Sequence, residues 1–144
     1  MTITAAADGS ALGNPGPAGW AWYVDDEHWA SGGWPRGTNN MGELMAVLDL
    51  LRQTAGARED LLVYCDSLYV INTVTQWMKG WKRNGWKTAD KKAVKNQDLW
   101  EQLDKLIAKH DVAWHWVKGH ANDVDNERAD ELARQGMAPF KLTR

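Results

Sequence analysis

From Asn40 to Gly56 the large apolar residues fall at Met41, Leu44, Met45, Val47, Leu48 and Leu51, the three-and-four spacing of one helix face. A second such face runs through Gln97–Lys109 on Leu99, Trp100, Leu103, Leu106 and Ile107, and a third helix is predicted over Asp125–Gln135 with Gly136 as its stop. The remaining segments have a different rhythm. Thr2–Asp8 reads as a strand ending at Asp8-Gly9, and Ala18–Val24 and His28–Trp34 read as a hairpin around Asp25-Asp26-Glu27. Leu61–Cys65 is a continuous apolar run too short for a helix, suited to a strand covered on both faces. Val112–Val117 alternates, with Trp114 and Trp116 on one side. A helix follows Asp66-Ser67 to about Met78, and a short helix with a protruding loop fills the stretch to Lys95. Strands that return after helical crossovers imply a mixed sheet with helices on its faces.

At 144 residues the chain fits one domain, residues 1–144. Its 44% hydrophobic and 25% charged composition is that of a folded, water-soluble protein. The single cysteine, Cys65, excludes a disulfide framework and a multi-cysteine zinc site. No apolar run is long enough to span a bilayer, and no positive charge precedes the alanines of the N-terminus, so the expected location is the cytoplasm, with no membrane partner and a monomeric state.

Charge changes the picture. The net charge is -2, but Lys79, Lys82, Arg83, Lys87, Lys91, Lys92 and Lys95 stand against the single acid Asp90. That island carries +6 and the rest of the chain -8, which points to an anionic partner. The chain has ten tryptophans, eight of them in two clusters (Trp20, Trp22, Trp29, Trp34; Trp77, Trp81, Trp86, Trp100), and Trp100, Trp114 and Trp77 are assigned to core packing.

Four acids stand at element ends or near helix starts. Taken singly, each has a plain alternative: Asp8 as a turn residue, Glu43 in a capping box with Asn40, Asp66 as a helix N-cap, and Asp130 as an i,i+4 partner of Arg134. Taken together they imply more. Adjacent strands would set Asp8 beside Asp66, with Glu43 above them and Asp130 presented by the last helix. Four such carboxylates stay ionised only around a cation, and an all-oxygen set favours Mg²⁺ or Mn²⁺. Beside a basic island, that chemistry is metal-assisted attack on a phosphodiester. His120, in the Gly-flanked loop Lys118–Asn122, is either merely exposed or a proton-transfer group at the leaving oxygen.

Five segments in register resemble type 1 ribonuclease H: Asp8-Gly9-Ser10 with Gly13-Asn14-Pro15-Gly16-Pro17; Thr38-Asn39-Asn40-Met41-Gly42-Glu43-Leu44; Asp66-Ser67-Leu68-Tyr69-Val70; Trp81–Lys95 with Asn96-Gln97-Asp98-Leu99-Trp100; and Trp116–His120 with Asn126–Asp130. The resemblance implies an α/β fold with a mixed five-stranded sheet, order 3-2-1-4-5, flanked by helices. It implies an endoribonuclease that hydrolyses the RNA strand of RNA–DNA hybrids by two-metal-ion catalysis, leaving 5′-phosphate and 3′-hydroxyl ends. Asp8, Glu43, Asp66 and Asp130 match the metal-binding carboxylates, and His120 matches the loop histidine. Asn14 and Asn39 fall on minor-groove positions, where 2′-hydroxyls mark the RNA strand. Arg36, Thr38 and Asn96 fall on a pocket for a DNA phosphate. Trp77, Trp81 and Trp86, with Lys82, Arg83 and Lys87, fall in the basic handle that embraces the DNA strand.

Three positions depart from that pattern. Leu68 stands where a polar, base-contacting residue is frequent, Ala11 offers only its backbone, and Gly42 is expected to weaken the helix start and loosen Glu43. Two other readings compete: a non-catalytic hybrid-binding module, which predicts a broken carboxylate set, and a DNA-processing nuclease of the same fold.

Overall fold

In a computed structural model of the protein, described over residues 2–56, 59–88, 90–117 and 124–140, the five strands form one mixed sheet. They are β1 (Thr2–Ala11), β2 (Gly16–Asp25), β3 (His28–Gly37), β4 (Asp60–Cys65) and β5 (Val112–Trp116), in the order β3-β2-β1-β4-β5. The expected order 3-2-1-4-5 is borne out. β1 pairs antiparallel with β2 on one side and parallel with β4 on the other. The helices are α1 (Asn39–Thr54), α2 (Leu68–Asn72), α3 (Met78–Arg83), α4 (Gln97–Ile107) and α5 (Val124–Met137). A π-helical turn, Thr73–Trp77, joins α2 to α3, and Ala138–Phe140 is a 3₁₀ turn. Among the described residues no helix is long and apolar enough to cross a membrane.

The core lies between the sheet and α1 with α4. Leu44, Val47, Leu48 and Leu51 of α1 are fully buried against Ala5, Ala7, Leu61 and Val63, and Trp100 and Leu103 close the far side. Each buried leucine contributes about 1.5–3 kcal/mol by leaving water. Leu61, Val63 and Cys65 of β4 are fully covered, whereas Leu62 and Tyr64 are half-buried, so β4 is closed completely on one face only. The opposite face of β1–β3 is covered by α5, where Leu132 and Ala133 pack on Ala21 and Tyr23.

β2 and β3 extend past the expected Ala18–Val24 and His28–Trp34, and two further boundaries differ in ways that bear on the packing. β1 continues through Asp8 to Ala11, because Asp8, Gly9, Ser10 and Ala11 pair with Ala21, Trp20, Gly19 and Ala18 of β2. Asp8 is therefore a strand residue and not a turn. Gly136 does not stop α5, which runs to Met137. A methyl group there would lie 2.9 Å from the Gly32 carbonyl carbon, so the glycine lets the helix backbone rest directly on β3.

Candidate active site

Parallel pairing of β1 with β4 runs to the Ala7–Cys65 partners, and the next residue on each strand is an acid. Asp8, inside β1, and Asp66, just beyond the carboxyl end of β4, thus stand side by side where β1 loses its parallel partner and continues paired with β2 alone. Open α/β sheets build their sites in that crevice. Glu43 arrives from above on the first turns of α1. The helix is capped by Thr38, whose Oγ1 accepts from the Met41 N–H at 3.1 Å, so Glu43 is released from any capping duty. Ser67 likewise caps α2 by accepting from the Val70 N–H at 3.3 Å, and Asp66 is not the cap.

Gly42 sets the approach of α1 to β1. A methyl group at Gly42 would run into the Gly19 carbonyl oxygen and lie 3.1 Å from Gly9 Cα, and one at Gly9 would lie 2.6 Å from the Gly42 carbonyl carbon. The expectation that Gly42 loosens Glu43 is overturned: the glycine contact is what brings Glu43 down onto Asp8.

One carboxylate oxygen from each of Asp8, Glu43 and Asp66 lies within 4.8 Å of the others. Asp8 and Glu43 are only 4% and 3% exposed, and Asp66 is half-buried. Asp8 Oδ1 accepts from the Gly9 N–H at 2.9 Å, while Glu43 Oε2 is buried with no hydrogen-bond partner. Burial pushes the Asp8 carboxyl up to about 8, against its hydrogen bond with Glu43 and with help from the charges of Asp66 and Asp130. Burial, then the Asp8 charge, pushes Glu43 well above the usual carboxylate range. Crowded, buried oxygens with one orphaned are the donor set of a hard divalent cation, and the residues fit such an ion.

Asp130 stands apart from this group. Its carboxylate is paired with Arg134 at 3.0 Å, the i,i+4 pair that the sequence allowed, and it reaches Asp8 only as a charge. His120 lies outside the described residues.

A cavity of about 570 Å³ adjoins, lined by Asn14, Thr38, Asn39, Asn40, Met41, Tyr69, Lys95 and Asn96. Asn14 Oδ1 accepts from the Asn39 N–H at 2.9 Å, tying the β1–β2 loop to the start of α1. Of the three residues expected to grip a phosphate, Thr38 and Asn96 line this cavity, and Arg36, exposed on β3, does not. Lys95, Asn40 and Tyr69 went unassigned from sequence. Lys95 was counted only in the basic island. Tyr69 stands three residues after Asp66, within the same motif.

Along the basic segment the assignment of Trp77 to the core is corrected. The π-helical turn inserts an extra residue, which directs Met78 inward and leaves Trp77 44% exposed. Trp81 is half-buried between Trp77 and Trp100, at centroid distances of 6.4 and 6.2 Å. Trp100 is fully buried, and Trp114 packs half-buried on the core. Arg83 and Lys87 are exposed, whereas Lys82 is held by Asp104 at 3.1 Å.

The family model for RNase H matches residues 1–138. The chain belongs to the ribonuclease H family. It is 52% identical to the ribonuclease H of Paracoccus denitrificans (strain Pd 1222), over 95% of this chain and 93% of that protein. It is 51% identical to the ribonuclease H of Rhizobium meliloti (strain 1021), over 95% and 91%. A crystal structure of LC9-RNase H1, a type 1 RNase H with the type 2 active-site motif, superposes with a TM-score of 0.80 at 29% identity, covering 98% of this chain and 75% of that one. Family membership makes the chain a nuclease, and the acidic cluster of Asp8, Glu43 and Asp66 is consistent with a metal-dependent one.

The raised Asp8 carboxyl has a measurable consequence without metal. Unfolded, Asp8 ionises near 3.8; folded, it holds its proton to about 8. Between those values the native state binds more protons than the unfolded one, so stability must fall as pH rises. Thermal melts in chelator are expected to show a lower melting point at pH 8 than at pH 5, with a slope approaching about 1.4 kcal/mol per pH unit for one proton. Divalent metal should flatten that dependence by replacing the proton. An unchanged melting point across the window would contradict the buried-carboxyl site.

Proposed function

We propose that the chain, acting as a cytoplasmic single-domain monomer of residues 1–144, is an endonuclease that hydrolyses the RNA strand of RNA–DNA hybrids and leaves 5′-phosphate and 3′-hydroxyl ends. The observation that carries this reading is the buried Asp8–Glu43–Asp66 cluster beside a cavity lined with amides and Lys95. Asp8, Glu43, Asp66 and Asp130 would hold two Mg²⁺ ions, with Mn²⁺ an alternative, and Asp130 would exchange Arg134 for metal. Such ions, when bound, lower the pKa of a water and offset charge on the phosphate.

The chain's own residues do the rest. Asn14 and Asn39 recognise 2′-hydroxyls across the shallow minor groove, which selects the RNA strand. Thr38 and Asn96, with Arg36 from the rim, hold a phosphate of the DNA strand and fix its register. Trp81, Lys82, Arg83 and Lys87 hold the DNA backbone further along, and His120 delivers a proton to the leaving 3′-oxygen.

Parallel digestion of a hybrid, a DNA duplex and an RNA duplex tests the assignment. Only the RNA strand of the hybrid should be cut, and preferential cutting of the DNA duplex would identify a DNA-processing nuclease instead. No cleavage of any substrate with Mg²⁺ or Mn²⁺ would identify a binding module.

The handle is expected to act on binding more than on chemistry. Neutralising Lys82, Arg83 and Lys87 together should raise KM and lower the log–log salt slope by roughly 2–3 units. The lower figure applies if Lys82 keeps its partner Asp104. A collapse of kcat with an unchanged slope would remove the handle from substrate binding.

A further inference from the structure

Asn96 has a left-handed backbone, φ 59°, at the residue preceding α4, and its side chain does not cap that helix. The amide turns the other way and its Nδ2 donates to the Tyr69 hydroxyl oxygen at 3.3 Å. The same oxygen accepts from Trp100 Nε1 at 2.9 Å. Trp100 is fully buried and the Tyr69 ring packs on the same core, so packing holds the ring in place while the hydroxyl presents itself to Asn96. Asn96 terminates the segment after α3, where an isolated bridge between Lys87 and Ala93 provides the strand-like pairing. Tyr69, by contrast, sits in α2, capped by Ser67 and three residues from Asp66.

We infer that Tyr69 is a positioning residue for the phosphate cavity: its hydroxyl orients the Asn96 amide and fixes it at a set distance from the carboxylate site. An anion can be served only by N–H or O–H donors. The Asn96 amide has two hydrogens, and with one on Tyr69 the other is left for a ligand. Without the Tyr69 oxygen the amide is free to turn its carbonyl toward the anion, which repels it. Tyr69 therefore acts through Asn96, on substrate binding and not on bond cleavage. The inference rests on the proposal that this cavity takes a phosphate of the DNA strand.

A double-mutant cycle in steady-state kinetics on a hybrid separates the two claims. Asn96→Ala should raise KM about tenfold or more, with kcat within a factor of about two, as expected for a lost bond to a charged group. Tyr69→Phe should raise KM about three- to tenfold, again sparing kcat. The double variant should be no weaker than Asn96→Ala alone, because a positioning effect vanishes once its target is gone. Trp100→Phe supplies the control for core damage, since it removes the buried donor but leaves the Tyr69–Asn96 bond. It should melt lower yet keep the wild-type KM when assayed well below its melting point. If Asn96→Ala leaves KM unchanged, the phosphate reading of the cavity fails and the inference falls with it. If Asn96→Ala raises KM but Tyr69→Phe does not, or the two effects multiply, the positioning role alone is overturned. A KM increase in Trp100→Phe equal to that of Tyr69→Phe would also overturn it, tracing the effect to core packing.

Discussion

Asp8→Asn is expected to abolish hydrolysis while stabilising the metal-free protein at alkaline pH. Asp8 is the most central of the three clustered acids, nearly fully buried and flanked by both Glu43 and Asp66. An amide preserves its shape and can still accept from the Gly9 N–H, but it supplies no negative charge to a cation. A loss of at least ~10³ in kcat is expected, equivalent to about 4 kcal/mol of barrier. Stability should move the other way. Wild-type Asp8 is protonated in the folded state up to about pH 8 and ionises near 3.8 when unfolded, so the substitution has its smallest effect near pH 5 and below. As pH rises from 5 to about 8 the wild type loses stability that the variant keeps, at a slope approaching about 1.4 kcal/mol per pH unit, so at pH 9 the variant should be the more stable by on the order of 4 kcal/mol. Mg²⁺ should reverse the ranking, because binding the folded form alone stabilises it. Melts of both proteins in chelator and in Mg²⁺, at pH 5 and pH 9, check the pattern. A loss of stability in Asp8→Asn at both pH values would make Asp8 a structural hydrogen-bonding residue.

The second large effect concerns Gly42→Ala. In an ordinary helix this change is favourable by about 1 kcal/mol. Here the added methyl meets the backbone of Gly19 and Gly9, neither of which has a flexible end to yield. Overpacking of that kind costs about 1–3 kcal/mol, so the net effect should be destabilising. Activity should fall further than stability. Glu43 is the next residue, and lifting it by about 1 Å from Asp8 is worth roughly 10²-fold in rate. Gly80 in α3 provides the comparison, since nothing lies within 4 Å of a methyl placed there. Gly80→Ala should therefore raise the melting point by the helix-propensity gain. Opposite signs at the two glycines, read by thermal melts, are the expected result. The same sign at both would mean that α1 does not ride on β1 as described.

Much of the site was legible because it depends on alternation and order. Once β1 and β4 are recognised as neighbouring parallel strands, the acids that follow Ala7 and Cys65 must fall side by side, and the helix bearing Glu43 must cross them. What pattern reading misjudged were contacts of backbone on backbone. Gly42 and Gly136 look like weak points along a helix, but each marks where a helix touches a strand, a fact visible only once the two elements are in place. Trp77 is assigned to the core as a large aromatic, and the π-helical turn that leaves it exposed has no signal in the sequence. The Tyr69–Asn96 bond joins residues 27 apart that share no element. Neither has a spacing signal, although both stand in motifs that the sequence displayed. Asp130 shows the reverse case, for the local partner predicted by its spacing, Arg134, is the one it has.

A time course on a hybrid labelled in its RNA strand, run first in chelator and then with Mg²⁺ restored, tests the metal-dependent carboxylate site most directly. The RNA strand should remain intact in chelator and be cut once Mg²⁺ is added, at a rate that rises with Mg²⁺ until the site saturates. Cleavage in chelator at the same rate would contradict the account, since the Asp8–Glu43–Asp66 cluster would then have no ion to hold.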